Sequence, residues 1–152
     1  MARIAIYGKR VPDEAQPFVE RTLTSLSQEG CEVHMYRGFQ NRLNEAWNLG
    51  LDYPEYTSAE ALQELNPDFL LVIGGDGTLL DATSQVGRSG IPLIGLNTGR
   101  LGFLANITRD EAPTALKRIL QGEFRIEERY TLQASTDGPE LLDPNFALNE
   151  IA

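Results

Sequence analysis

Cysteine, histidine and tryptophan each occur once, as Cys31, His34 and Trp47. A single cysteine excludes an internal disulfide framework and fits a reducing compartment. Beside Glu32 and Val33, Cys31 reads as a small packed hydrophobe at a strand start, not a reactive thiol. His34 alternates with Val33 and Met35 and reads as a surface residue of that strand, while Trp47 reads as a cover on a sheet. Basic residues are also scarce: 13 Lys and Arg stand against 22 Asp and Glu, a formal charge of −9. That balance speaks against nucleic acid or an anionic membrane as partner, because no basic surface is available to neutralise dense phosphates. No apolar run approaches the roughly eighteen residues that span a bilayer, and no signal-peptide pattern precedes the first strand, so a cytoplasmic location is the default expectation.

What is present suits one ordinary domain. The 152 residues are 41% hydrophobic and 23% charged, enough for a sizeable core and too few for two complete domains. Arg3 to Gly8 reads as a short strand ending at glycine. Pro12, Asp13 and Glu14 mark a helix start, Phe18, Val19, Leu23 and Leu26 form its apolar stripe, and Gly30 ends it. Cys31 to Tyr36 gives a second strand. Arg37 to Tyr56, with Asn41, Asn44, Asn48, Gly50 and Pro54 scattered through it, predicts a partly ordered connection with one helical turn near Leu43 to Trp47. Thr57 and Glu60 match a capping box that opens a short helix to Leu65, and Asn66-Pro67-Asp68 breaks it.

The chain is organised around Phe69 to Ala82. Phe69 to Ile73 is an unbroken apolar run, as expected of a parallel strand covered on both faces. Gly74, Gly75, Asp76, Gly77 and Thr78 follow, and Leu79, Leu80 and Ala82 resume as a helix. Glycines that permit positive φ and close approach, set before a helix N-terminus, predict a phosphate cradle. Asp76 would repel phosphate there unless it meets a substrate hydroxyl or a metal ion, which points to phosphoryl transfer. Gly74-Gly75-Asp76-Gly77 is also good turn chemistry, with Asp76 bonded to the turn's own backbone. The spacing is neither that of a P-loop nor that of a dinucleotide G-x-G-x-x-G turn.

A second glycine-bearing loop, Asn97 to Leu104, follows a buried strand read at Ile91 to Leu96. In open α/β sheets the ligand crevice lies outside the carboxyl ends of the strands, so two such loops reinforce one another. Phe103 fits either loop packing or a flat face against a base. Thr108 to Glu111 is a second capping box, leading into an amphipathic helix with Leu116, Ile119 and Leu120. Phe124 to Ser135 then alternates with period two, the pattern of a half-exposed antiparallel strand, and Phe146 to Ile151 gives another. The expected division is an α/β nucleotide-binding domain over 1–108, then a linker helix and the start of an incomplete antiparallel β domain over 109–152.

These residues together resemble the NAD kinase family of ATP-NAD 2′-phosphotransferases. The resemblance rests on Gly74 to Leu80, on Asn97-Thr98-Gly99-Arg100-Leu101-Gly102-Phe103-Leu104, and on Ala147-Leu148-Asn149-Glu150. The first motif is shared with diacylglycerol and sphingosine kinases, and the other two select NAD kinase. A lipid kinase or a non-catalytic nucleotide-binding module remains the alternative. The resemblance implies a Rossmann-like parallel sheet with flanking helices, followed by the first strands of a truncated all-β domain. It implies Asp76 as the catalytic carboxylate that draws the proton from the ribose 2′-hydroxyl. Gly75, Gly77, Thr78 and Leu80 would line ribose and phosphates, Phe103 and Leu104 the adenine side, and Asn149 and Glu150 the second ribose. It further implies ATP with Mg²⁺ or another divalent cation, NAD as the other substrate, no metal site made by the protein alone, and a homo-oligomeric full-length enzyme. Family members continue beyond the Asn-Glu pair, so the chain reads as an N-terminal fragment, expected to lack a complete active site and to associate through uncovered apolar faces.

Overall fold

The computed structural model describes residues 1–99, 102–133 and 146–148. Five parallel strands form the main sheet: β1 (Arg3–Gly8), β2 (Glu32–Tyr36), β3 (Glu55–Tyr56), β4 (Phe69–Gly74) and β5 (Leu93–Asn97), in the order β3-β2-β1-β4-β5. The chain winds outward from β1 through β2 to β3, then crosses to the other side of β1 for β4 and β5. The switch therefore falls between β1 and β4, where open α/β sheets place their ligand crevice.

The central strands feed two cores. In β4, Leu71 and Ile73 face one layer while Leu70 and Val72 face the other, all fully buried. This two-sided burial is why the run shows no alternation. On the first face lie α1 (Gln16–Gln28), α2 (Arg37–Trp47) and α5 (Ala112–Leu120), bringing Phe18, Leu26, Phe39, Leu43 and Leu116 against Ile4 and Ile6. On the second lie α3 (Ala59–Leu65) and α4 (Asp76–Val86), bringing Leu62, Leu79, Ala82 and Val86 against Ala5 and Tyr7. A 3-10 turn over Asp13–Ala15 precedes α1, with both acids in its first turn.

Several local expectations shift. The stretch read as a loose connection contains all of α2. Two side-chain amides one turn apart hold the returning chain to that helix as a strand would. Gln40 donates to the Tyr53 carbonyl at 3.2 Å and accepts from the Tyr53 N–H at 3.0 Å, while Asn44 donates to the Leu51 carbonyl at 2.9 Å and accepts from the Leu51 N–H at 2.7 Å. Asn48 then takes the left-handed conformation at the C-cap, φ 52°. The first capping box sits one residue later than its motif suggests: Ser58, not Thr57, accepts from the Ala61 N–H at 3.2 Å. The second forms as read, with Glu111 accepting from the Thr108 N–H at 3.1 Å and the Thr108 hydroxyl accepting from the Glu111 N–H at 3.4 Å. His34 is half-buried and bonded to Glu32 at 2.8 Å.

Of the alternating segment after Gly122, only Leu132–Gln133 (β6) pairs, antiparallel to Phe146–Ala147 (β7). Residues 123–131 run without regular pairing, because no neighbouring strand among the described residues offers them a ladder. Phe124 nevertheless meets Phe69 edge-on, ring centres 5.3 Å apart.

Candidate functional site: two glycine loops joined by one carboxylate

The register sets the site. Gly74 at the end of β4 pairs with Asn97 at the end of β5, so both glycine loops leave the sheet side by side at its carboxyl edge. The Thr98 N–H donates to the Gly74 carbonyl at 3.1 Å and fixes their separation.

In the first loop, α4 begins at Asp76, three residues before the apolar pattern resumes at Leu79, with Gly75 as an extended N-cap. Gly74, Gly75 and Gly77 are not among the glycines with positive φ, so close approach, not left-handed backbone, is the reason for them. A Cβ on Gly74 would come within 2.6 Å of the Thr78 Cβ. Gly75 and Gly77 have open space where a Cβ would lie, leaving backbone N–H groups at a helix N-terminus accessible to a ligand. Leu79 points inward and is buried, whereas Thr78 and Leu80 are half-buried at the rim.

Asp76 does not bond within its own turn. Its carboxylate reaches across to the second loop: Oδ2 accepts from the Phe103 N–H at 2.8 Å, and Oδ1 from the N–H groups of Leu104 at 3.0 Å and Ala105 at 2.9 Å. The Ala105 N–H above all, with Phe103 and Leu104, holds this carboxyl below the ordinary carboxylate range against the upward push of desolvation. Gly102 lies directly against the carboxylate, and a Cβ there would overlap it. The backbone therefore turns Phe103 outward, 96% exposed.

Asn97, which opens the second loop motif, and two residues that no motif singled out, Arg109 and Gly95, hold the second loop in shape. Asn97, 3% exposed, donates to the Ala105 carbonyl at 3.0 Å and accepts from the Gly99 N–H at 2.7 Å, bridging the two shanks of the loop. Arg109 donates to the Thr98 carbonyl and, at 3.4 Å, to the Glu14 carbonyl beyond β1. Gly95 lets the loop base close, since a Cβ would stand 3.0 Å from the Ala105 Cα. An asparagine directly after a buried strand was the one available signal among these; Arg109 and Gly95 carried none.

Phe103 and Leu104 also line an open cavity of about 900 Å³ bounded by Leu79, Ile94, Phe124 and Tyr130. Asp76, Gly75 and Gly77 are not among the residues that line it. Asn149 and Glu150, like Arg100 and Leu101, lie outside the described residues. Among the described residues no cluster of three or more His, Cys, Asp or Glu could hold a metal ion, and no helix is long and apolar enough to cross a membrane.

A parallel sheet with two glycine loops at its carboxyl edge, one of them bordering the topological switch and opening a helix, defines a doubly wound α/β domain of the kind that receives ligands at that edge. The particular family follows from comparison with known proteins. The ATP-NAD kinase N-terminal domain matches residues 4–124, and the chain belongs to that family. It is 35% identical over its full 152 residues to an NAD kinase of Porphyromonas gingivalis, and 34% identical over 98% of its length to one of Flavobacterium psychrophilum. It spans about half the length of these curated relatives, 51% of each. Among solved structures, yeast NADH kinase complexed with NADH shares the fold, with a TM-score of 0.68 at 19% identity over 91% of this chain and 44% of that one. An NAD kinase from Archaeoglobus fulgidus in complex with ATP gives 0.54 at 27% identity, over 79% of this chain and 37% of that one.

Proposed function

We propose that the full natural protein transfers the γ-phosphate of ATP to the 2′-hydroxyl of the adenosine ribose of NAD, giving NADP. The observation that carries this reading is Asp76: a carboxylate at the N-terminus of α4, locked by three N–H groups of the neighbouring loop at the carboxyl edge of the sheet. In the reaction the ribose 2′-oxygen bonds to the γ-phosphorus while the bond from that phosphorus to the β,γ-bridging oxygen breaks, and the hydroxyl proton leaves toward Asp76 Oδ2. A carboxyl held below its ordinary range is a weak base. Its main service is to orient the hydroxyl, which suits a transfer whose transition state demands little of the nucleophile and much of positioning.

Gly75, Gly77, Thr78 and Leu80 form the rim on which ribose and phosphates rest, and Phe103 and Leu104 present a face to the adenine. Asn149 and Glu150 are assigned to the second ribose on the family motif alone. Mg²⁺ enters with the triphosphate, since magnesium is commonly held by one or two carboxylates together with substrate phosphates instead of an all-protein cage. The division near residue 108, a homo-oligomeric full-length enzyme and a cytoplasmic location complete the proposal.

The test is NADP formation by the full natural chain from NAD, ATP and Mg²⁺, with Asp76→Asn alongside. A loss of about a hundredfold or more in kcat is expected in the variant, the scale of a misplaced reacting group. A wild-type protein that folds and binds ATP yet makes no NADP removes the proposal in favour of a lipid kinase or a binding module.

A further inference from the structure

We propose that Asp76 and Gly102 together form the mount of the loop that carries Phe103 and Leu104, giving Asp76 a positioning task in addition to its place opposite the reacting hydroxyl. The proposal rests on the phosphotransfer reading only in assigning that loop to the nucleotide.

Three observations carry it. First, all three donors to the carboxylate are consecutive N–H groups lying 27 to 29 residues further along the chain, and the carboxylate caps no N–H of its own helix. Second, Gly102 is seated against the carboxylate so closely that any Cβ would overlap it, so the contact is built from both sides. Third, the count of acceptor directions is telling. A carboxylate offers roughly four; Oδ1 uses two, for Leu104 and Ala105, and Oδ2 uses one, for Phe103. Among the described residues, no donor takes the second direction on Oδ2. Asp76 can therefore accept a single substrate hydroxyl without releasing the loop, and the loop in turn fixes which oxygen is free and where it points. The shape of the nucleotide-facing loop and the aim of the reactive carboxylate become one property.

Amide-resolved hydrogen exchange of the full natural chain tests this, with β4 amides reporting whether each variant is folded. In Asp76→Asn and in Gly102→Ala the amides of 103–105 should exchange at least about tenfold faster, the scale of losing one bond to a charged acceptor. The β4 amides should be unchanged. Gly102→Ala keeps the carboxylate, so it should also raise KM for NAD, about tenfold on the same scale, which a glycine without a positioning role would not do. If Asp76→Asn does not fold, Gly102→Ala decides. Protection at 103–105 that survives these changes overturns the mount, whether or not NADP is made. Protection that is lost in the variants, while the wild-type protein keeps it yet cannot form NADP, keeps the mount and removes the kinase reading.

Discussion

Single residues at this site act by what they exclude as much as by what they bond. Gly95 shows it: an added Cβ would meet Leu79 Cδ1 at 2.6 Å and the Ala105 backbone at 3.0 Å. The leucine end can swing aside, but the Ala105 backbone cannot move without disturbing the bond to Asp76. Gly95→Ala is expected to cost about 1–3 kcal/mol in urea unfolding, the usual range for overpacking, and to speed exchange at 103–105 as well. Asp76 contributes in the opposite sense, through bonds to its charged form. Its carboxyl titrates lower in the folded than in the unfolded protein, so its contribution is fully present above the ordinary carboxylate range and disappears as pH falls through the folded value. Asp76→Asn should therefore be less stable than wild type at pH 7 by about 1–2 kcal/mol, after discounting for its partly exposed position. The gap should close in strongly acidic buffer. A difference in unfolding midpoint that stays constant down to the lowest pH would show that the N–H bonds do not favour the carboxylate.

At the scale of elements, the lesson is in α2 and the segment it holds. Gln40 is 3% exposed and its amide serves both backbone groups of Tyr53 as well as Glu55 Oε1 at 2.9 Å. Replacing it by leucine keeps the volume and leaves the half-buried Tyr53 N–H and carbonyl without these partners, an expected loss of about 1 kcal/mol. Released exchange confined to residues 51–56 would accompany it; a uniform rise over the whole sheet would instead mean that β3 and the core unfold as one unit. The same feature explains where reading the sequence stopped short. β1, β4, α1 and α4 were legible because their signals are local: apolar runs, a stripe at helical spacing, acids after a proline. Residues 37–56 were not, because Asn41, Asn44 and Asn48 look like loop formers and Gln40 carries no signal of its task until the segment it bonds lies beside it. The site divides in the same way. The position of Asp76 between glycines could be read from its neighbours, whereas its partners Phe103, Leu104 and Ala105 depend on β4 and β5 being adjacent. The fine choice of Ser58 over Thr57 as N-cap was set by backbone geometry that a four-residue motif does not contain.

For the whole molecule, the layered sheet is closed on both faces, yet one flank is not. Phe124, Ile126, Tyr130 and Leu132 are exposed hydrophobics gathered on the segment after α5, and Tyr130 is 98% accessible. Together with Phe103 they make an apolar surface on a protein that otherwise stays apart by charge, with a formal net charge of −9. Two forces of different range therefore act between copies of the 152-residue chain: contact between apolar side chains, which pH leaves alone, and repulsion, which fades as carboxylates protonate toward the isoelectric region near pH 4.6. Association should follow from their balance. In sedimentation velocity the chain is expected to be mostly monomeric at pH 8 and low salt, and to shift to larger species as the pH is lowered to about 5.5 or as salt is raised toward 0.5 M, where charges more than about 4–5 Å apart are screened. Carboxylate titration alone would also predict this, so the apolar part needs its own variant. Ile126→Ser with Leu132→Ser leaves the charge untouched and lies outside both buried cores, so it should keep the protein monomeric under the same shifts with an unchanged melting temperature. Association that persists undiminished in that double variant would place the contact elsewhere on the molecule and leave the exposed segment without a part in it.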